Sequence, residues 1–295
     1  MPPLIALDWG TSSLRGARLA RDGTVLEERA YPRGILTVPP GGYTALFEAL
    51  FGDWMQPPGA LCLIAGMAGS RQGWVEAPYC ACPASLADVA AQLAWVEPGR
   101  IAIVPGLCCD HDGVPDVMRG EETQVFGALH LLGIDRGVLV LPGTHSKWVQ
   151  VEAGRIHAFA TLMTDEFYAL LRRHSILARM LPDADGEFDG AAFDTGVAQA
   201  LRSTGLLRSA FSVRTLALFE RLPEAQRPSY LSGVVIGEEL RSRPMAMAER
   251  VVLIGEPALT QRYERALAQI GIRAEAVGSQ AAWRGLHRIA QKIHP

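Results

Sequence analysis

The chain has 295 residues, a formal net charge of −3 and an isoelectric point near 6.2, so its length suits two modest domains with separate cores. The slight acidity excludes the broad basic surface that binds nucleic acid or anionic membranes, and a small-molecule partner is favoured. No apolar run approaches the roughly 20 residues that span a bilayer, and Asp8 comes too early for a signal peptide, so we expect a cytoplasmic protein.

The first predicted element is a hairpin at the N-terminus. An apolar strand, Leu4 to Leu7, ends at Asp8 and leads into a turn of small residues. The backbone N–H groups and hydroxyls of this turn can bind an anion, and its residues are Gly10, Thr11, Ser12 and Ser13. A carboxylate beside an anion-binding turn suggests an intervening cation, so Asp8 is predicted to hold Mg²⁺. The alternative interpretation is an ordinary hairpin with an acidic turn.

A substrate loop is predicted after the next buried strand. The strand at residues 61–65 runs into the loop 66–74, and ligands of open α/β sheets collect beyond the carboxyl ends of strands. Arg71 has the fork geometry that suits a carboxylate, and Trp74 offers a flat apolar wall for sugar carbons. We therefore predict that Met67, Arg71 and Trp74 contact the substrate. The alternative is a surface arginine and a core tryptophan.

Two acidic residues mark the start of a helix near the middle of the chain. A helix with Ser85 as its N-cap is predicted at residues 85–95, a loop at 105–120, and a further helix at 123–132 that ends at Gly133. Glu121 and Glu122 lie at the start of that helix, where the helix dipole favours ionised carboxylates that can act as a base. Acids are common in any first helical turn, so a purely structural role is the alternative. Arg119 is a second candidate for binding an anionic substrate group.

A second pattern of strand, turn and strand, VLVLPGTHSKWVQV, occupies residues 138–151. Its turn carries hydroxyls and nitrogen donors and consists of Gly143, Thr144, His145, Ser146 and Lys147. Lys147 is predicted to neutralise charge in a transition state, or it only caps the hairpin. Third strands are predicted at residues 24–31 and 155–162. The repeat predicts an α/β fold of two duplicated domains, residues 1–133 and 134–295, with a cleft between them.

The rest of the second half is predicted to be largely helical. A helix capped by Thr164 is followed by helices at residues 193–208, 212–222 and 230–241. These helices form an insertion, about 164–245, that the first half lacks. A strand at residues 251–254 then runs into Gly255 and Glu256, and a strand at 273–277 and a helix at 280–293 complete the pattern.

Four segments together resemble one family of sugar-acid kinases. They are DWGTSS at residues 8–13, MRGEETQ at 118–124, LPGTHSKW at 141–148 and HSIL at 174–177. With these segments the chain is similar, from end to end, to the 2-dehydro-3-deoxygalactonokinase family of the actin, hexokinase and heat-shock chaperone superfamily. The resemblance implies an actin-like, ribonuclease-H-like ATPase fold and the cofactors ATP and Mg²⁺. It also implies phosphorylation of the 6-hydroxyl of 2-dehydro-3-deoxy-galactonate in galactonate breakdown.

The resemblance further implies roles for individual residues. The two Gly-Thr turns would close on the ATP phosphates from opposite sides, and Gly255 and Glu256 would lie against the adenosine. Glu121 or Glu122 would take the place of the aspartate that serves as the base in such kinases. The candidates for binding the substrate carboxylate are Arg15, Arg71 and Arg119.

Three other functions remain compatible with the sequence. They are a kinase of the same fold that acts on another sugar or sugar acid, a chaperone-like ATPase and a phosphatase. A panel of sugar acids with ATP separates the two kinases, while slow ATP turnover that is indifferent to sugar acids would mark the ATPase. The sequence allows a monomer or a homodimer.

Overall fold

The computed structural model describes residues 3–184, 186–242 and 250–293. Residue contacts divide the chain into two compact units. The first unit comprises Met1–Gly137, Val149–Ala160 and Val277–Pro295, and the second comprises Val138–Trp148 and Thr161–Ala276. The domain limits predicted from the sequence stay a prediction, and residues 243–245 of the predicted insertion lie outside the described residues. Among the described helices, none has the length and apolar character needed to cross a membrane.

Groups of successive strands are separated by helices along the described chain, and four helices follow one another in the second half. The strands are β1 (Leu4–Trp9), β2 (Leu14–Leu19), β3 (Val25–Tyr31), β4 (Leu61–Gly66), β5 (Tyr79–Ala81), β6 (Ala84–Ser85), β7 (Ala94–Glu97), β8 (Ile101–Ile103), β9 (Gly106–His111), β10 (Val114–Met118), β11 (Gly137–Leu141), β12 (Ser146–Glu152), β13 (Arg155–Leu162), β14 (Arg250–Ile254) and β15 (Arg273–Val277). The helices are α1 (Tyr43–Phe51), α2 (Leu86–Ala90), α3 (Glu121–Leu132), α4 (Thr164–His174), α5 (Gly190–Arg202), α6 (Leu206–Leu218), α7 (Arg227–Ser242), α8 (Pro257–Ala268) and α9 (Gln280–Ile293).

The first unit contains a six-stranded sheet in the order β3-β2-β1-β4-β8-β7. Strand β1 pairs antiparallel with β2 and parallel with β4. Both β1 and β4 are almost wholly apolar, as expected for central strands whose two faces are buried. The two parallel strands end side by side, with Asp8 paired with Ala65. The segments that follow β1 and β4 therefore leave from the same edge of the sheet.

Two predictions for the first unit are wrong. The helix expected at residues 85–95 is limited to α2, because residues 94–97 form β7 and pair with β8. The loop expected at residues 105–120 contains the hairpin of β9 and β10. Its turn is stabilised by the Asp110 carboxylate, which accepts the Gly113 N–H at 2.6 Å, and Gly113 has a φ of +86° that favours glycine. These strands join β5 in a small sheet of order β10-β9-β5.

Helix α3 packs tightly against α9 in the first unit. A Cβ atom on Gly127 would lie 1.8 Å from the backbone oxygen of Ala281, and one on Gly285 would lie 1.8 Å from that of Thr123. Only glycine at both positions permits this approach. At the other end of α3, a Cβ on Gly120 would lie 3.1 Å from the Cα of Gly66. The start of α3 is thus held next to the end of β4.

The second unit combines a sheet with packed helices. Strands β15, β14, β11 and β12 are neighbours in that order, and β11 pairs parallel with β14. Helices α5 and α7 cross closely, because a Cβ on Gly196 would lie 2.2 Å from the backbone oxygen of Tyr230. The buried residues at this contact include Phe193, Val197 and Ile236. They form the core on which the sheet rests.

The predicted limits of three helices in the second unit are wrong. Helix α5 begins at Gly190 because the Asp189 side chain accepts the Ala192 N–H, and it ends at Arg202 rather than at residue 208. Gly205, with a φ of +149°, separates α5 from α6, which spans Leu206–Leu218 and not the predicted residues 212–222. Helix α7 begins at Arg227, earlier than the predicted residue 230. The predicted bounds of β13, β15 and α9 agree with the structure.

Candidate active site

The turn between β1 and β2 is rigidly held. The Gly10 N–H donates to the Ser13 backbone oxygen at 2.9 Å, and the Ile35 N–H donates to the Gly10 oxygen at 3.0 Å. A Cβ on Gly34 would lie 2.2 Å from the Thr11 oxygen, so the backbone of Gly34 supports the turn from behind. The three residues after Gly10 are exposed, and they are Thr11, Ser12 and Ser13. Their hydroxyls are therefore accessible to a ligand.

Asp8 forms an ion pair with Arg15. The two residues are register partners on β1 and β2, and Arg15 Nη2 lies 2.7 Å from Asp8 Oδ2. Both side chains are partly exposed, at 20% for Asp8 and 34% for Arg15. Arg15 thus pairs with the carboxylate that was predicted from the sequence to bind a metal ion.

The Asp8 carboxylate fits Mg²⁺. It is partly exposed and supplies hard oxygen donors. Within the described residues, no cluster of three or more His, Cys, Asp and Glu side chains could hold a metal ion. A single carboxylate is nevertheless compatible with Mg²⁺, which commonly takes one or two carboxylates and completes its coordination with water and substrate phosphates.

Glu121 and Glu122 have different environments at the start of α3. Glu122 is fully buried; its Oε2 accepts the Gly120 N–H at 2.7 Å, and its Oε1 has no hydrogen-bond partner. Burial, reinforced by the charge of Glu121, raises the pKa of Glu122 to about 8. Glu121 is only partly buried, and its Oε2 accepts the Arg119 N–H at 3.0 Å. Glu122 is therefore protonated at neutral pH, and Glu121 is the carboxylate that a substrate can reach.

Arg119 carries guanidinium nitrogens that lack partners. Its Nη2 donates to the Ala77 oxygen at 2.8 Å, and the guanidinium lies 4.3 Å from the Tyr79 ring centre. Its Nε and Nη1 are buried without a hydrogen bond. A Cβ on Gly69 would lie 2.8 Å from Nη1, so Arg119 borders the predicted substrate loop. Buried polar groups are normally satisfied, and an anionic ligand could satisfy these two nitrogens.

The other predicted substrate residues lie in different surroundings. Arg71 is 88% exposed and pairs with Glu76 at 3.3 Å. Trp74 is partly buried and packs against the rings of Trp9, Tyr43 and Phe47. Met67 is partly buried at the end of β4. Arg119 therefore has buried nitrogens without a hydrogen-bond partner beside this loop, whereas Arg71 is exposed and paired.

The turn before β12 contacts the first residues of α4. His145 Nε2 lies 2.5 Å from Glu166 Oε2, and the Glu166 N–H donates to the Thr144 oxygen at 3.3 Å. Thr144 and His145 are exposed. Lys147 is buried, and its Nζ donates to the His145 oxygen at 3.3 Å. The turn thus offers Thr144 and His145 to a ligand while Lys147 supports its backbone.

A buried carboxylate that the sequence analysis did not single out lies beneath this turn. Glu239 Oε1 accepts hydrogen bonds from Ser146 at 2.8 Å and from Trp148 at 2.6 Å. Its Oε2 accepts from Tyr263 at 2.7 Å and from Thr164. Burial raises the pKa of Glu239, and the four hydrogen bonds oppose this effect. In the sequence, Glu239 could have been noticed as an acid within the largely apolar helix segment LSGVVIGEEL.

The position of Thr164 corrects its predicted role. Thr164 was expected to cap α4, but the cap position belongs to Met163, which makes no capping hydrogen bond with its side chain. The Thr164 hydroxyl donates to Glu239 instead. A buried carboxylate is a strong acceptor, so it holds the Thr164 hydroxyl in a contact with α7.

Gly255 and Glu256 lie between β14 and α8. A Cβ on Gly255 would lie 3.6 Å from the Pro142 oxygen, so Gly255 sits beside the start of the second turn. Glu256 is exposed at the N-terminus of α8. A narrow pocket in this unit is lined in part by Gly143 and Arg262. Because β11 and β14 are parallel neighbours, the turn and Gly255 follow strands that end at the same edge of the sheet.

Known proteins resemble this chain over nearly its whole length. A family model described as 2-keto-3-deoxy-galactonokinase matches residues 8–289. The 2-dehydro-3-deoxygalactonokinase of Escherichia coli strain K12 is 36% identical over 292 residues, which cover 98% of each chain. The crystal structure of a Sinorhizobium meliloti protein, described provisionally as a 2-dehydro-3-deoxygalactonokinase, matches this structure with a TM-score of 0.92. The two chains are 36% identical, and the match covers 99% of each.

A more distant structure confirms the predicted fold class. The activator of 2-hydroxyisocaproyl-CoA dehydratase from Clostridium difficile has a TM-score of 0.52 at 12% identity, covering 99% of this chain and 96% of that one. At this identity the likeness concerns the fold alone, which is the two-domain α/β fold of actin-like ATPases.

Proposed function

The chain belongs to the 2-keto-3-deoxy-galactonokinase family, and we propose that it uses MgATP to phosphorylate the 6-hydroxyl of 2-dehydro-3-deoxy-galactonate at the residues described above. It is a sugar-acid kinase of galactonate breakdown. One observation carries the assignment of the reacting residues. An accessible carboxylate, Glu121, adjoins a buried protonated one, Glu122, at the start of α3 and next to Arg119.

The first turn and Asp8 would hold the metal and the phosphates. Asp8 would hold Mg²⁺, and the bound ion would neutralise phosphate charge. Arg15 keeps the Asp8 carboxylate oriented across the β1 and β2 pair. The backbone N–H groups and hydroxyls of residues 10–13 would bind phosphate oxygens, and the support of the turn by Gly34 keeps these donors in place.

The second turn and the start of α8 would bind the rest of the nucleotide. Thr144 and His145 are exposed donors for phosphate oxygens, and the space within 4 Å of the Cβ position of Gly143 is open. Lys147 would add positive charge to the turn. Gly255 and Glu256 would lie against the adenosine. Support for these roles comes from the exposed donors and from the shared edge of β11 and β14.

Glu121 would act as the base. Its carboxylate would accept the proton of the substrate hydroxyl as the phosphoryl group arrives. The neutral Glu122 avoids a second negative charge beside it. Arg119 would bind the substrate carboxylate, with Arg15, Arg71, Met67 and Trp74 as further contacts. We also propose a cytoplasmic location, consistent with a small-molecule substrate.

The test is ADP production with MgATP and a panel of sugar acids. The panel contains 2-dehydro-3-deoxy-galactonate, 2-dehydro-3-deoxy-gluconate and a control without sugar. We expect turnover with the galactonate compound to exceed the other two strongly. Preference for the gluconate compound would assign a different sugar-acid kinase. Equal slow hydrolysis in every sample would point to an ATPase instead, and phosphate release without ATP would point to a phosphatase.

A further inference from the structure

The buried carboxylate of Glu239 connects the second turn to four elements of its unit. Glu239 belongs to α7, and its donors come from β12, α4 and α8. Ser146 is the residue where the turn passes into β12. Helix α4, bonded to Glu239 through Thr164, also contacts the turn through Glu166. Glu239 therefore restrains the turn by two routes, one through Ser146 and one through α4.

A carboxylate is a costly group for this position. Removing an ionised carboxyl group from water is unfavourable, and an apolar side chain of similar size would fill the space without that cost. A carboxylate instead imposes directional hydrogen bonds on its neighbours, because it only accepts hydrogen bonds and all four donors must point at it. Such an arrangement fixes the geometry of the surrounding backbone more strictly than apolar packing does.

The hydrogen bond to Glu239 also limits what Ser146 can do. A serine hydroxyl has one proton, and Ser146 donates that proton to Oε1 of Glu239. The side chain of Ser146 is fully buried, whereas those of Thr144 and His145 are exposed. Ser146 is therefore placed to anchor the turn, and the exposed residues are placed to meet a ligand.

We propose that Glu239 is a positioning residue for nucleotide binding, which holds the second turn in the shape that binds ATP phosphates through its bond to Ser146. Ser146 is then an anchor of the turn and not a phosphate ligand. The inference rests on the proposed function, since it takes the phosphates of ATP as the ligand of the turn.

Variants at both ends of this bond test the inference. Ser146→Ala removes one donor and leaves the carboxylate, whereas Glu239→Ala removes the common acceptor. Both are expected to raise the Kd for ADP, measured by calorimetry, and the KM for ATP by about tenfold. The KM for the sugar acid should stay unchanged in both, because the substrate contacts proposed above do not include this turn.

Glu239→Gln should restore much of the affinity lost in Glu239→Ala. The indole N–H of Trp148 can only donate, so the amide oxygen of the glutamine must face Trp148 and Ser146. The amide NH₂ group then faces the hydroxyls of Thr164 and Tyr263, which can reverse and accept. Rescue by this isosteric change is expected of a positioning role.

Tyr230→Phe is the matched control. Tyr230 lies on the same helix, is 1% exposed, and its hydroxyl lies 2.8 Å from Ser212 Oγ. This variant loses one buried hydrogen bond away from the turn, so its thermal stability should fall while its Kd for ADP stays at the parent value.

The outcomes separate the inference from the proposed function. A parent that binds ADP, together with Ser146→Ala and Glu239→Ala proteins that bind it equally well, would overturn the inference and leave the kinase assignment intact. If Glu239→Ala does not fold, the Ser146→Ala protein decides alone. A parent that binds neither ADP nor ATP would overturn the proposed function and this inference with it.

Discussion

A Cβ atom on Gly127 of α3 would lie 2.9 Å from the backbone nitrogen of Gly285 on α9. The same atom would lie 1.8 Å from the oxygen of Ala281, so the two helices touch through their backbones. Helix α3 carries Glu121 at its start, and its packing on α9 therefore fixes the proposed base.

Gly127→Ala should destabilise the protein. The new methyl group would overlap a rigid backbone oxygen, and overpacking of this kind costs about 3 kcal/mol. Gly278→Ala is the control, because no atom lies within 4 Å of the Cβ position of that residue. Urea denaturation of the two variants measures the difference in unfolding free energy. Equal unfolding free energies for the two variants would contradict this prediction, because they would show that the contact between α3 and α9 tolerates a methyl group.

Glu122→Gln should remove a pH dependence of stability. Burial raises the pKa of Glu122 from 4.5 to about 8 in the folded protein. The folded state then holds its proton more tightly than the unfolded state, so the contribution to stability is complete below pH 4.5 and is lost as the pH rises toward 8. The parent should therefore lose stability over this range relative to Glu122→Gln, measured as Tm at a series of pH values.

The comparison between these two proteins isolates Glu122. Burial also raises the pKa of Glu239, but Glu239 is present in both proteins and its effect cancels. Parallel curves of Tm against pH would mean that Glu122 is ionised in the folded state.

Arg119→Lys should weaken binding of the sugar acid. Lysine offers one ammonium in place of the two guanidinium nitrogens that lack partners, so the KM for the sugar acid should rise about tenfold. The KM for ATP should stay at the parent value. Arg136→Lys is the control, since Arg136 is 80% exposed and pairs with Asp135 at 3.4 Å. A larger effect from Arg71→Ala than from Arg119→Lys would move the carboxylate site to Arg71.

Local sequence signals predicted the hairpin of β1 and β2 and the ends of several elements. Gly133 was expected to end α3, and the structure gives it the left-handed conformation of a helix C-cap. Ser85 was expected to cap a helix, and it does so in a capping box with Asp88. Such signals involve residues that are close together in the sequence, so the sequence alone reveals them.

Contacts between distant residues could not be predicted in the same way. Glu239 and Ser146 are 93 positions apart, and no spacing rule connects a helix acid to a turn serine at that separation. The same limit applies to Glu121 and Glu122, which look equivalent in sequence. Their difference arises from burial, which depends on the packing of α3 against the rest of the first unit.

The most direct test of the central claim is the kcat of Glu121→Gln with MgATP and 2-dehydro-3-deoxy-galactonate, with ADP binding measured on the same preparation. The amide cannot accept the hydroxyl proton, so we predict a fall in kcat of roughly 10²-fold to 10⁴-fold with an unchanged Kd for ADP. A Glu121→Gln protein that keeps the kcat of the parent would contradict the assignment of Glu121 as the base.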